Sequence, residues 1–276
     1  MWQLFLKSCQ ENFIFFISLI YMIIALSVFN NKNNNIFENL IIGWISYLIC
    51  VFGQYYSHYI AHKYQFRVII DNFLKENKNI KKIIPEYFLW GMYQMASIAD
   101  FHHDVHHNSI INNSWKNIFI EFIQNLYFQG IGSIIFLKLL NFGIQINKKV
   151  YELNYSIFFA MSILYATIHQ INYKLLDNIN ETTHYAKCHH QHHLNNTTNY
   201  GIDFIDIILN TKYDMEIELM NHGTINVVLI TLFVLFDSLL ASAIPSAEDI
   251  DVELWAAPNG SYSLSDLLVN PDNPPP

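Results

Sequence analysis

The hydrophobic positions of the chain gather into five stretches, residues 13–29, 40–56, 118–140, 153–168 and 225–244, separated by polar segments that carry all the histidine. Each stretch approaches the roughly 20 residues that cross a bilayer core as a helix. The first holds no charge and runs straight into Asn30, Asn31 and Lys32 rather than a small-residue cleavage site, so it reads as a retained helix and not as a signal peptide. The third carries Glu121 near its start, and the fifth is interrupted by Asp237. This pattern predicts an all-α integral membrane protein with four to five transmembrane helices. Residues 66–84 differ: Phe66, Ile69, Phe73, Ile80 and Ile84 share a rough helical face among Arg67, Lys75, Lys78, Lys81 and Lys82, and Asn77 breaks the stripe. Such a segment suits a helix lying in the headgroup layer or a solvated helix in the cytosol.

Threading the stretches up and down puts the N-terminus, residues 57–116 and residues 170–224 on one side, with residues 30–39 and 141–152 on the other. Every histidine then falls on the first side or at a helix end facing it. Eleven of the 15 Lys and Arg residues lie there too, which by the positive-inside bias makes that side cytosolic. The histidine site is therefore expected to face the cytosol, from the endoplasmic reticulum membrane if the chain is eukaryotic or viral.

Composition supports the membrane reading. Of 276 residues 52% are hydrophobic and 14% charged, against about a quarter charged in a soluble domain. The net charge of -8 excludes a basic footprint for nucleic acid. Six acids and no Lys or Arg lie after Ser246, where Pro, Ser and Ala displace Ile, Asn and Lys. Residues 1–244 thus read as the membrane-embedded domain and 245–276 as an acidic, Pro-rich tail expected to be disordered. Cys9, Cys50 and Cys188 show no CxxC spacing, so neither a disulfide scaffold nor a zinc ribbon is supported. Asn259-Gly260-Ser261 is a glycosylation acceptor sequence, usable if five helices place the tail in the lumen.

The chemistry lies in the histidines. His58 and His62 are four apart, on one face of a helix. His103, His106 and His107 form an HxxHH box, as do His189, His192 and His193, and positions i, i+3 and i+4 also share one face. Neutral imidazole suits iron, zinc, copper and nickel. Eight imidazoles exceed what one ion can hold, so the stoichiometry points to two metal ions close together. His169, at the cytosolic end of the fourth stretch, is a further ligand, because an isolated polar residue there is expensive without a role. His184 is an additional candidate; His102, directly before its box, and His190, at an x position of its own, rank behind the others, as ligands or as flanking residues; His222 reads as interfacial.

HYIAH at 58–62, HDVHH at 103–107, and HHQHH at 189–193 followed by Asn199-Tyr200-Gly201 and Asp206 resemble the fatty acid hydroxylase and sterol desaturase superfamily of membrane di-iron oxygenases. Asn210-Thr211 stands where that family has Gly-Thr, the gap from His62 to His103 is longer than usual, and that from Gly201 to Asp206 is shorter than in many members. The resemblance covers roughly residues 47–213. It implies four core membrane helices, a cytosolic helical cap carrying two iron ions (zinc being a possible substitute), and an extra histidine between the second and third boxes, which His169 fits. It also implies O2 as co-substrate and an external electron donor, a cytochrome b5-type protein or a ferredoxin, since the chain has neither a GxGxxG nucleotide loop nor a fused haem domain.

A lipid-facing helix set brings the substrate from the bilayer: a sterol, sphingoid, acyl or isoprenoid lipid, hydroxylated or desaturated at an unactivated C–H bond. No catalytic residue is expected beyond the metal ligands. The competing class is a non-catalytic membrane metal-binding protein or transporter, which would need ionisable residues inside the spans, where Glu121 and Asp237 are the only acidic candidates. A bis-histidine haem protein would need His pairs facing each other within the bilayer.

Overall fold

The computed structural model describes residues 2–29, 35–101, 115–127, 130, 132–140, 142–146, 149–172, 192, 197–201, 203–212 and 217–243. The chain divides into two compact units, 1–235 and 236–276, and of the second only residues 236–243 are described, as helix. The tail expected at 245–276 lies outside the described residues, as does Cys188.

The described residues are mostly helical. In chain order they form α1 (Trp2–Glu11), α2 (Phe13–Phe29), α3 (Ile36–Lys63), α4 (Phe66–Glu76), α5 (Lys78–Ile83), α6 (Glu86–Phe101), α7 (Trp115–Leu126) and α8 (Gly132–Leu139). A hairpin of β1 (Gly143–Ile146) and β2 (Lys149–Glu152) follows. Then come α9 (Tyr155–Ala166), a π turn (Thr167–Asn172), α10 (Asp203–Leu209), a short 3-10 turn (Asn221–Gly223) and α11 (Thr224–Ala243).

Two helical segments, Ile36–Lys63 and Asn221–Leu240, are long and apolar enough to cross a membrane, and α1 with α2 makes a third if that pair, bent by 81°, counts as one span. They correspond to the second, fifth and first apolar stretches. The surfaces of α2 and α11 agree with this: Phe13, Ile17, Tyr21, Leu229, Phe233 and Phe236 are all exposed, an apolar dressing that a soluble monomer rarely presents. α3 is longer than its apolar middle because both ends are specified. The Asn35 side chain accepts from the Phe37 and Glu38 amides, and Glu38 complements the helix dipole. The Lys63 end carries the two histidines of the first box.

The core lies where α2, α3, α9 and α11 meet, with Phe15, Met22, Leu26, Tyr47, Ile157 and Met161 fully or nearly buried. α9 packs on α3, α2 and α7, and its buried residues fall all around it, as in a helix surrounded by others. α2 and α3 approach closely at Gly43, where a Cβ would fall 1.8 Å from Ser27 Oγ and 3.3 Å from Ile157 Cδ1. The corner between α1 and α2 is fastened by Asn12, whose side chain donates to the Glu218 carbonyl at 2.8 Å and accepts from the Met220 amide at 2.6 Å.

Elsewhere the structure departs from the sequence expectations. Within the third stretch the described residues form α7 and α8, with Tyr127 and Gly130 in π conformation, and α7 buries Glu121 and Asn125. The loop expected at 141–152 contains the antiparallel hairpin, registered Gly143 to Glu152 and Ile146 to Lys149. Residues 66–84 are two helices, broken at Asn77 where the stripe is interrupted, and α6 follows without having been anticipated. α4 and α6 are tied by Asp100, which is 3% exposed and accepts from the Phe66 amide at 2.6 Å, the Arg67 amide at 2.9 Å and Arg67 Nε at 3.0 Å. Tyr93 also donates to Asp71.

Candidate metal centre

His58 and His62 occupy the last turns of α3, one turn apart, and His192 meets them from its own short segment. One ring nitrogen of each lies within 4.8 Å of the others, the only group of three or more such ligands among the described residues. Ring centroids are 4.9 Å apart for His58 and His62, 4.8 Å for His58 and His192, and 4.6 Å for His62 and His192. His58 is 2% exposed and His192 fully buried.

The other ring nitrogens explain why these imidazoles face inward. His58 Nδ1 lies 2.6 Å from the Tyr200 carbonyl and His192 Nδ1 2.6 Å from the Thr198 carbonyl. A carbonyl only accepts, so both Nδ1 atoms carry the proton and both Nε2 atoms present lone pairs. This is the arrangement by which ligand histidines are oriented at metal sites. Two Nε2 atoms, of His58 and His62, then approach to 3.1 Å. A metal–imidazole bond of about 2.1 Å separates two ligand nitrogens by about 2.9–3.4 Å between right-angled and tetrahedral geometry. The donor set and its spacing therefore fit an ion such as iron or zinc.

The loop that supplies those carbonyls is shaped by Asp206 on α10. Its carboxylate, 1% exposed, accepts from the Tyr200 amide at 2.9 Å, the Gly201 amide at 2.9 Å and Thr211 Oγ1 at 2.7 Å. Tyr55 of α3 donates to Thr211 Oγ1 at 3.2 Å, and the Asn199 amide to the Thr211 carbonyl at 2.9 Å. Asn199 sits at φ 55° and Asn210 at φ 57°, left-handed conformations that asparagine tolerates better than other side chains. Burial pushes the Asp206 carboxyl up to about 6 despite the hydrogen bonds from Thr211, Gly201 and Tyr200 and the charge of Lys212. Burial, reinforced by Tyr55, Tyr59 and Asp206, likewise pushes the Tyr200 phenol up to about 12, so it stays protonated.

His169 lies on the π turn that ends α9, buried, with its ring 5.6 Å from that of His58 and stacked on Tyr165 at 5.3 Å. It borders the three-nitrogen group without belonging to it. The hydroxyl of Tyr165 also reaches His58 Nδ1 at 3.0 Å. Glu218 lines a small cavity of about 40 Å³ with His58 and His169, and burial pushes its carboxyl up to about 8. His222 is not in the group; its Nδ1 lies 3.1 Å from Asn172 Nδ2. His102, His103, His106, His107, His184, His189, His190 and His193 lie outside the described residues.

Sequence reasoning found the three clustered imidazoles but missed Thr198, Tyr165 and Glu218. Glu218 stands in an acidic run with Asp214 and Glu216 that gives no sign of which acid is buried, and a backbone carbonyl leaves no signal at all. Comparison with protein families, with characterised proteins and with solved structures finds no match.

Proposed function

We propose that this is a membrane-bound di-iron oxygenase that hydroxylates or desaturates a lipid at an unactivated C–H bond. The observation that carries the proposal is the group of His58, His62 and His192, with two Nδ1 atoms committed to backbone carbonyls and one nitrogen of each ring within 4.8 Å of the others. His169 would complete the ligation from the π turn, and His103, His106, His107, His189 and His193 would supply the second ion, with His184, His190 and His102 as further candidates. The proposed topology is four to five spans, with the histidines in a cytosolic cap at the endoplasmic reticulum membrane and electrons from a cytochrome b5-type protein or a ferredoxin.

A bound iron pair would supply the reductive activation of O2 needed to attack such a bond. The chain's own residues do the rest. Tyr200 and Thr198 fix the tautomers of His58 and His192, keeping Nε2 unprotonated. Asp206 holds the loop that carries those carbonyls. Tyr200 packs against the rings of His58, His62 and His192 at 5.9, 5.6 and 5.8 Å, and Tyr55 and Tyr59 pack on Tyr200 at 5.9 and 5.2 Å. The test is to compare lipid extracts of cells with and without the expressed chain by mass spectrometry. A lipid gaining one oxygen or losing two hydrogens, absent with His62→Ala, supports the proposal. Identical extracts from metal-loaded protein supplied with a donor would favour a non-catalytic metal-binding protein.

A further inference from the structure

Where α3 ends at Lys63, two extended residues, Tyr64 and Gln65, lead the chain straight into α4 and then α5. The start of α4 is fixed there, because Asp100 accepts from the Phe66 and Arg67 amides. α5 is six residues long and packs chiefly on α4. Isolated helices shorter than about 12 residues are marginal in water, so α5 depends on whatever covers it. Its two long sides are chemically opposite. Lys78, Lys81 and Lys82, at i, i+3 and i+4, share one face, and Ile80 and Ile83 lie on the other; all five are exposed, Ile83 to 79%. Lys81 and Lys82 follow the isoleucines in sequence and so sit on either flank of the apolar stripe.

The apolar dressing continues on the neighbouring helices. Ile69 and Phe73 are exposed one turn apart on α4, and Tyr87 and Trp90 three residues apart on α6, which packs on α4. Aliphatic side chains accompanied by Tyr and Trp suit a bilayer interface, where one end of each ring is apolar and the other wet. The charge is local too. Residues 75–82 hold four lysines against Glu76 alone, in a chain whose net charge is -8. All four lysines are exposed, and among the described residues none makes an ion pair. A cluster of this size on an amphipathic segment at the end of a membrane helix is the pattern that attracts anionic headgroups. A soluble acidic partner would account for the lysines but not for Ile83, Tyr87 and Trp90 beside them.

We propose that α4 and α5 dock on anionic phospholipid headgroups of the membrane that α3 enters, with Ile80 and Ile83 among the upper acyl chains and Lys81 and Lys82 reaching headgroup phosphates from either flank. Lysine stems lie along apolar surface while their ammonium groups stay at the polar layer, so the two roles are compatible. Membrane charge then sets how firmly residues 66–83 are held next to the first histidine box. The inference rests on α3 crossing the bilayer and on nothing that happens at the imidazoles.

The test is amide hydrogen exchange of the full chain, read by peptide mass spectrometry, in nanodiscs of phosphatidylcholine alone or with phosphatidylserine added. A lysine at an anionic surface is worth about fivefold in binding, so three acting together should slow exchange over residues 78–84 at least about tenfold when phosphatidylserine is present. Molar salt should remove the slowing. Replacing all three by Lys78→Gln, Lys81→Gln and Lys82→Gln should abolish it while α2 and α3 exchange as before, and Ile83→Asn should speed exchange in both bilayers. Equal exchange in the two bilayers, or slowing retained in the triple variant, overturns the proposal. Slowing brought on by added polyglutamate and not by phosphatidylserine also overturns it and gives the face to an acidic protein. Rapid exchange throughout Ile36–Lys63 would sink the membrane span and this proposal with it, whereas a protected α3 with no response to phosphatidylserine sinks this proposal alone.

Discussion

Replacing Asp206 by alanine removes the acceptor for the Tyr200 amide, the Gly201 amide and Thr211 Oγ1, at 2.9, 2.9 and 2.7 Å. A buried donor that loses its partner costs about 1–3 kcal/mol. Three such losses, softened because Gly201 and Thr211 are only partly buried, come to about 3–6 kcal/mol, a large share of the roughly 5–15 kcal/mol of a typical domain. The consequence for chemistry is separate from stability. Once the 199–201 turn relaxes, the Tyr200 carbonyl no longer fixes the His58 tautomer, and losing a partner that orients a ligand histidine typically costs 10- to 100-fold in metal affinity. Asp206→Asn is the graded control, because an amide oxygen can still accept from Tyr200 and Thr211 while its NH2 meets the Gly201 N–H donor to donor. The assay is titration of metal-free protein in detergent with Co(II), followed by its visible absorption, alongside thermal unfolding. The order of affinity should run from wild type through Asn to Ala. Wild-type affinity in a folded Asp206→Ala protein would refute the claim that the loop sets the ligand.

Other expectations follow from the same contacts. The Asp206 carboxyl rises from its ordinary 3.8 to about 6 through burial, so between those values the folded protein holds more protons than the unfolded chain. Stability should therefore fall as pH climbs from about 4 to about 6 and level off above, and Asp206→Asn should flatten that part of a denaturation profile; an unchanged slope would contradict the assignment. Gly43→Leu should separate α2 from α3, since even a Cβ falls 1.8 Å from Ser27 Oγ. Overpacking of this kind costs about 1–3 kcal/mol, read as a lower unfolding temperature. With five spans and a cytosolic N-terminus, Asn259 is lumenal: translation into microsomes should give a glycan-sized mass shift that Asn259→Gln abolishes, whereas no shift would favour an even number of spans.

What could be read from the sequence was whatever is periodic or continuous. The charge-free run at 13–29 coincides with α2, and the run at 225–244 with α11 to within a residue at each end. The four-residue step from His58 to His62 states their shared face directly. α6 escaped because its apolar residues alternate with Tyr93, Gln94 and Ser97, and its hold on α4 depends on Asp100, a contact 33–34 residues distant. At the candidate metal centre, side-chain identity revealed His58, His62 and His192. The carbonyls that orient two of them belong to a turn set by Asn199, Asn210 and Asp206, whose geometry no residue type announces by itself. Asp206 was visible as part of a motif, and its physical task emerges from its three hydrogen bonds.

The oxygenase proposal stands on iron bound at the imidazole group. Metal analysis of the full chain, purified from iron-replete cells, measures this directly, with His192→Ala beside it as the variant. Two irons per wild-type chain and a marked loss in the variant are expected. Iron at background in the wild type, or equal iron in both proteins, would contradict it.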